Sequence, residues 1–197
     1  MAEPEKLRLF FAVRVPEPHL SAIDGAILPH RDRFDGARWA PVENQHITLR
    51  FLGWSTDDRV EEIGDRGRSV AAQVPSALVR LTGLGAFPSH KGGRVLWVGI
   101  DDPEGVTRRL AAGLDEALAP LGFEAEERAF HPHLTLARFK VPRPLPDPLP
   151  DVSRGLDPFW IEEMVLFRSR LHPTGARYEA LDAFPLGAHL DGGGSAP

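Results

Sequence analysis

An α+β fold is expected of this chain: two sheet-plus-helix lobes, related by a pseudo-twofold, with a cleft between them. Three observations lead there. One phrase, His-aliphatic-Thr-Leu, is written twice, as His46-Ile47-Thr48-Leu49 and as His133-Leu134-Thr135-Leu136. Each copy sits in a half that also holds a strand pair and a long helix. The 19 Gly and 19 Pro among 197 residues suit a sheet with many turns and are high for a helical bundle.

The opening run Leu7-Arg8-Leu9-Phe10-Phe11-Ala12-Val13-Arg14-Val15 is a strand, and Pro16 and Pro18 lead from it into a helix over His19 to Leu28. A short extended piece around Arg38-Trp39-Ala40 precedes the first His-x-Thr strand, which ends at Gly53. Ser55-Thr56-Asp57-Asp58 supplies N-caps for a helix that runs to Gln73 and is closed by Pro75. Strands over Ala77 to Leu84 and Arg94 to Ile100 form a hairpin across the loop Gly85 to Gly93. The next helix starts at Pro103-Glu104, with Pro in its first turn, and runs to Leu118. The second His-x-Thr strand follows. Five prolines between Val141 and Pro150 force an extended connection. Phe159 to Ser169 and Tyr178 to Leu186 are the last two strands. Residues 1–188 are expected to form a single bilobal domain, and residues 189–197 a loose Gly-rich tail.

The duplicated phrase carries the chemistry. With eight His and six Thr in the chain, roughly 0.24 His-x-Thr triplets are expected by chance, so two copies that share the following Leu are a signal. Polar and apolar residues alternate with period two, which puts His and Thr on one face of a half-buried strand and the aliphatic residues in the core. An imidazole moves a proton, and a hydroxyl one pleat repeat away donates to an oxygen of the same ligand. Two copies supply the acid and the base that a displacement at phosphorus or at an acyl centre needs.

Composition narrows the field. The formal charge of −5 and pI near 5.9 argue against a chain that coats long nucleic acid, although a few convergent donors still grip one phosphate. Zero cysteines remove disulfides, thiolate nucleophiles and Cys-based zinc sites, and fit a reducing compartment. The apolar stretch Leu9 to Val13 is too short for a signal peptide or a membrane span, so a cytoplasmic location is expected. No cofactor, Walker-type or metal-binding motif is present. His131 and His133 form a His-x-His pair without a carboxylate at ligand spacing, so His131 is read as a turn residue before Pro132.

In these residues the chain resembles the 2H phosphoesterase superfamily, specifically the bacterial RNA 2′,3′-cyclic phosphodiesterases, also called 2′-5′ RNA ligases. The similarity extends over Arg8-Leu9-Phe10-Phe11-Ala12-Val13, Trp39-Ala40-Pro41, Asn44-Gln45-His46, Phe51-Leu52-Gly53 and Leu84-Gly85-Ala86-Phe87-Pro88. It continues through Phe130-His131-Pro132-His133-Leu134-Thr135-Leu136-Ala137-Arg138, Leu166-Phe167-Arg168-Ser169 and Gly175-Ala176-Arg177-Tyr178. The resemblance implies two mainly antiparallel sheets with helices outside and a V-shaped central cleft. It also implies metal-independent opening of a ribose 2′,3′-cyclic phosphate to a 2′-phosphate, at RNA ends or in small cyclic nucleotides, with reversible 2′-5′ ligation as related chemistry. On this resemblance His46 and His133 are the catalytic pair, His133 as base and His46 as acid. Thr48 and Thr135 hold the phosphate, and Arg138 assists.

Other residues have two readings each. Trp39 and Phe130 are candidates for stacking on a base and equally for core packing. Arg50 alternates with Leu49 and is thereby expected on the His46/Thr48 face. Lys91 and Arg94 are phosphate contacts from a loop or a solvated hairpin tip; Arg168, Arg170 and Arg177 line the cleft or the outer surface. Two rival functions remain: a noncatalytic RNA-end or nucleotide-binding module, and a His-dependent metallohydrolase. No membrane and no obligate protein partner is expected.

Overall fold

The computed structural model describes residues 4–126, 128–172 and 175–189. Most of the expected tail, residues 190–197, lies outside the described residues. The elements run β1 (Lys6–Arg14), α1 (Glu17–Ile27), β2 (Ala37–Trp39), β3 (His46–Thr56), α2 (Val60–Gln73), β4 (Ala77–Phe87) and β5 (Gly93–Asp101). They continue with α3 (Val106–Leu118), β6 (His133–Arg143), β7 (Phe159–Ile161), β8 (Glu163–His172) and β9 (Gly175–Pro185).

Every strand pairing is antiparallel. The order is β7-β4-β5-β6-β3-β1-β8-β9, with β2 added beside β6. The two expected sheets are therefore two arms of one continuous sheet. They join at a single residue pair, Ile47 of β3 with Leu134 of β6, and so narrow a seam lets the arms splay. The far edges come together again: only Glu162 separates β7, which pairs with β4, from β8, which pairs with β1 and β9. Leu186 donates its N–H to the Glu162 carbonyl, and Gly187 donates to the carbonyls of Ala71 and Val74. The sheet is curled and open at its seam.

The core fills the helix side of the sheet, where Leu9, Phe11, Val13, Ile47, Leu49, Leu134 and Leu136 meet Ile23, Ile63, Leu110 and Leu114. Helices cross between arms. α1 follows β1 in sequence, yet its His19 ring packs on Phe159 of β7 and its Nε2 donates to the Asp157 carbonyl at 2.9 Å. α3 follows β5 yet contacts β3. The start of α3 is set by Asp102, buried at 4% exposure, whose carboxylate accepts from the Val106 and Thr107 N–H groups at 2.8 and 2.9 Å and from the Thr107 hydroxyl at 2.6 Å. That cap moves the helix start from the expected Pro103 to Val106.

Three further boundaries differ from expectation. β3 runs through Gly53 to Thr56, because Gly53 takes φ of 70° inside a bulge instead of ending the strand. β4 runs through Gly85 to Phe87, since a glycine is needed where Trp97 crosses: a Cβ on Gly85 would lie 2.2 Å from the indole. The continuous run Phe159 to Ser169 divides at Glu162 into strands that serve opposite arms. Among the described residues no helix is long and apolar enough to cross a membrane.

Candidate functional site

The seam brings the two phrases together. With Ile47 opposite Leu134 in an antiparallel pair, the flanking residues fall level with each other: His46 beside Thr135, Thr48 beside His133. Ile47 and Leu134 are fully buried on the helix side. The two His and two Thr are half-buried on the other face, where they make one four-cornered patch.

Alternation breaks just after each phrase, in the same way twice. Ala12 pairs with Thr48 but Phe11 with Arg50, so Leu49 is an extra residue in β3. Trp97 pairs with Thr135 but Leu96 with Ala137, so Leu136 is an extra residue in β6. Each bulge turns the fifth residue after the His, Phe51 or Arg138, back onto the cleft face. Both residues line a cavity of about 420 Å³ with His46, Thr48, Thr135, Arg38, Asn44, Lys140 and Tyr178. His133 is not among its walls.

Both imidazoles are held alike. His46 Nδ1 lies 2.8 Å from the Asn44 carbonyl and His133 Nδ1 lies 2.7 Å from the His131 carbonyl. A carbonyl only accepts, so each Nδ1 carries hydrogen and each Nε2 is left to take or give a proton. Aromatic rings wall both in. His46 stacks on Phe10 at 4.9 Å between centroids and meets Tyr178 edge-on at 5.1 Å. His133 meets Phe87 edge-on at 5.0 Å and lies 6.3 Å from Trp97.

Burial, first among the causes, pushes His46 down to about 4; the Asn44 carbonyl opposes the shift, while the charges of Arg138 and His133 add to it. His133 is also lowered, by burial first, then by the charges of His131 and Arg138 against the opposing His131 carbonyl. The two rings thus share one electrostatic environment with Arg138. Arg138 is exposed, and among the described residues it makes no ion pair.

Several sequence-derived candidates stand elsewhere. The bulge at Leu49 sends Arg50 to the helix side, correcting the expectation from simple alternation. It is 5% exposed, with Nε 2.7 Å from Asp115 Oδ1 in an ionic contact off the hydrogen-bonding direction, and Nη1 3.2 Å from Glu126. Trp39 is outside the cavity, edge-on to Phe34 and under the Arg31 guanidinium, because β2 turns Arg38 rather than Trp39 to the cleft. Phe130 packs against the main core. Arg168 pairs with Glu5 and Arg170 with Glu179; Arg177 and Lys91 are exposed, and Arg94 donates to the Lys140 carbonyl. His131 supplies a carbonyl to His133 and a ring to Trp97. Among the described residues no group of three or more His, Asp or Glu could hold a metal ion.

Sequence reasoning missed Phe10, Phe87, Trp97, Tyr178, Arg38 and Lys140. Phe10 was within reach: in the adjacent pair Phe10-Phe11 on a strand, one ring must leave the helix side. A second depression of about 640 Å³, lined by Lys6, Trp54, Ser55, Thr56 and Arg59, lies at the other end of β3, away from both phrases.

The model of the 2′-5′ RNA ligase superfamily matches residues 15–172. A Thermus thermophilus protein named RNA 2′,3′-cyclic phosphodiesterase is 35% identical over 186 residues, covering 91% of this chain and 90% of that protein. Relatives of the same name from Aeropyrum pernix and Geobacillus stearothermophilus are 43% and 33% identical over 53% and 78% of this chain; the chain spans 58% and 49% of their lengths. Among solved structures, E. coli LigT in apo form superposes with a TM-score of 0.77 at 26% identity, over 93% of this chain and 99% of LigT. LigT has also been crystallised with 3′-AMP.

Proposed function

The chain belongs to the 2′-5′ RNA ligase superfamily, and on that footing we propose that it opens 2′,3′-cyclic phosphates at RNA ends to 2′-phosphates, without a metal. His46 and His133 move the protons. The observation that carries this reading is the register at the seam, which sets His46 beside Thr135 and Thr48 beside His133, with both Nε2 atoms unengaged among the described residues. The names of the relatives agree with it.

In the forward step His133 takes a proton from water as its oxygen attacks phosphorus. The bond from phosphorus to O3′ breaks in line with the attack, and His46 protonates the departing O3′. The product keeps phosphate on O2′. Thr48 and Thr135 donate to the nonbridging oxygens, where charge accumulates, and Arg138 adds a charged donor. His46 is neutral in the free site, with its pKa at about 4, and the bound phosphate anion raises it toward the acid form. A 5′-hydroxyl in place of water gives 2′-5′ ligation by the same movements.

Residues 1–188 act as one domain in this proposal, since each arm supplies one phrase. A cytoplasmic location accords with the absence of cysteine.

The test is hydrolysis of nucleoside 2′,3′-cyclic monophosphates and of an RNA with a cyclic end, with the regiochemistry read by phosphorus NMR. A 2′-phosphate formed in the presence of a strong chelator is expected. Loss of activity on chelation, restored by added metal, would favour the metallohydrolase. A substrate with an aryl leaving group separates the roles, because it needs no acid: it should restore turnover to His46→Ala but not to His133→Ala.

A further inference from the structure

Among the described residues, the walls of the site cavity include three cationic side chains, Arg38, Arg138 and Lys140, and no carboxylate. In a chain with 28 acidic and 23 basic residues, that is a local reversal of sign. Arg38 of β2 pairs in register with Arg138 of β6, so two like charges stand directly opposite each other, an arrangement that costs stability unless an anion lies between them. Lys140 follows Arg138 on the same strand, and both side chains are exposed. Among the described residues none of the three forms an ion pair. One cyclic phosphate carries one negative charge, which Arg138 and an imidazolium together already exceed. Arg38 and Lys140 are surplus to it.

The pseudo-equivalent strand lacks this feature. Five residues after its His, β6 has Arg138 where β3 has Phe51, which is 50% exposed in the same cavity. The two strands share a bulge and a His-x-Thr phrase but offer different surfaces: guanidinium and ammonium on one arm, an aromatic face on the other. A nucleotide has the matching polarity, phosphates along one edge and a base on the other.

We propose that Arg38 and Lys140 form a second phosphate subsite, which takes the phosphate esterified to the 5′ oxygen of the nucleoside whose 2′,3′-cyclic phosphate is opened. This rests on the function proposed above and names its preferred substrate: a nucleoside bearing phosphate at both ends. In an RNA that phosphate is the last phosphodiester of the chain; in a 5′-phosphorylated mononucleotide it is terminal.

The test compares three substrates, a nucleoside 2′,3′-cyclic phosphate, its 5′-phosphorylated form, and a dinucleotide with a cyclic end, on the wild type and on R38A/K140A. The wild type is expected to favour both substrates with the 5′ phosphate by about tenfold or more in kcat/KM, as lost charge-assisted hydrogen bonds imply. The double variant should flatten that ratio, with melting no lower than that of the wild type, since the repulsion between Arg38 and Arg138 is relieved. A dinucleotide gain without a 5′-monophosphate gain would assign the preference to the extra nucleoside and overturn the subsite. So would a wild-type ratio near one, or a ratio that survives in the variant. Failure of the functional reading is distinguishable: no substrate would turn over. Binding then decides the subsite. A labelled dinucleotide 2′-phosphate on H46A/H133A should bind more weakly, with a shallower salt dependence, when R38A/K140A is added. An unchanged affinity and salt dependence there would sink the proposal.

Discussion

His46 shows what a side chain gains from where it is seated. Its ring lies against Phe10 and Tyr178 and its Nδ1 is tied to the Asn44 carbonyl. Burial therefore keeps it neutral at pH 7, with a pKa of about 4. A phosphate anion in the site favours the imidazolium, so affinity for a phosphodiester, whose own charge is fixed over this range, should rise as pH falls below 7, as titration calorimetry would measure. Stability has the opposite sign. An unfolded His binds its proton near pH 6.5 and the folded His46 only near 4, so between these values the unfolded chain holds more protons and stability falls as pH drops. From pH 7 to 4.5 the loss from His46 is at most about 2.5 kcal/mol. Urea unfolding in phosphate-free buffer should find a smaller acid loss in His46→Gln. In catalysis, replacing either His by Ala should cost about 10² to 10⁴ in kcat.

The repeated bulge is what makes each strand more than its alternation. Without the extra Leu136, Arg138 would point to the helix side and Ala137 to the cleft. Deletion of Leu136 is therefore expected to lower kcat/KM at least as far as Arg138→Ala, about 10²-fold, and a steady-state assay beside a melting curve checks that the loss is not unfolding. Gly85 guards the other imidazole. A Cβ there would meet Trp97 at 2.2 Å, and the indole walls both His131 and His133. Gly85→Ala should cost about 1–3 kcal/mol of stability and move the His133 resonances in a proton NMR titration.

Helices that cross between arms hold the seam at its spacing. Arg50 leaves the cleft yet ties β3 to α3 through Asp115 and to the segment after that helix through Glu126, joining the arm that holds His46 to a helix that follows β5. Its partners are partly exposed, which screens the pair, so Arg50→Met should cost about 2–3 kcal/mol, less than a fully buried pair. Denaturant unfolding would read that loss. Turnover of the folded fraction should also fall, because the arms carry one imidazole each.

The order of most strands and helices, the two phrases, and the face shared by His46 with Thr48 and by His133 with Thr135 are legible in the linear chain. Period-two alternation and Pro, Gly and cap signals are local, and each is set within a few residues. The division of Phe159 to Ser169 between two arms, the destination of Arg50, the cleft-facing turn of Arg138 and Phe51, and the Arg38–Arg138 pair belong to tertiary structure alone. Each depends on which strand lies alongside and in what register, and a bulge is defined only against its partner. The chain on its own determined the chemistry available to each half; pairing at Ile47–Leu134 decided that the two phrases lie side by side on one face, because only contact between distant segments sets their registers level.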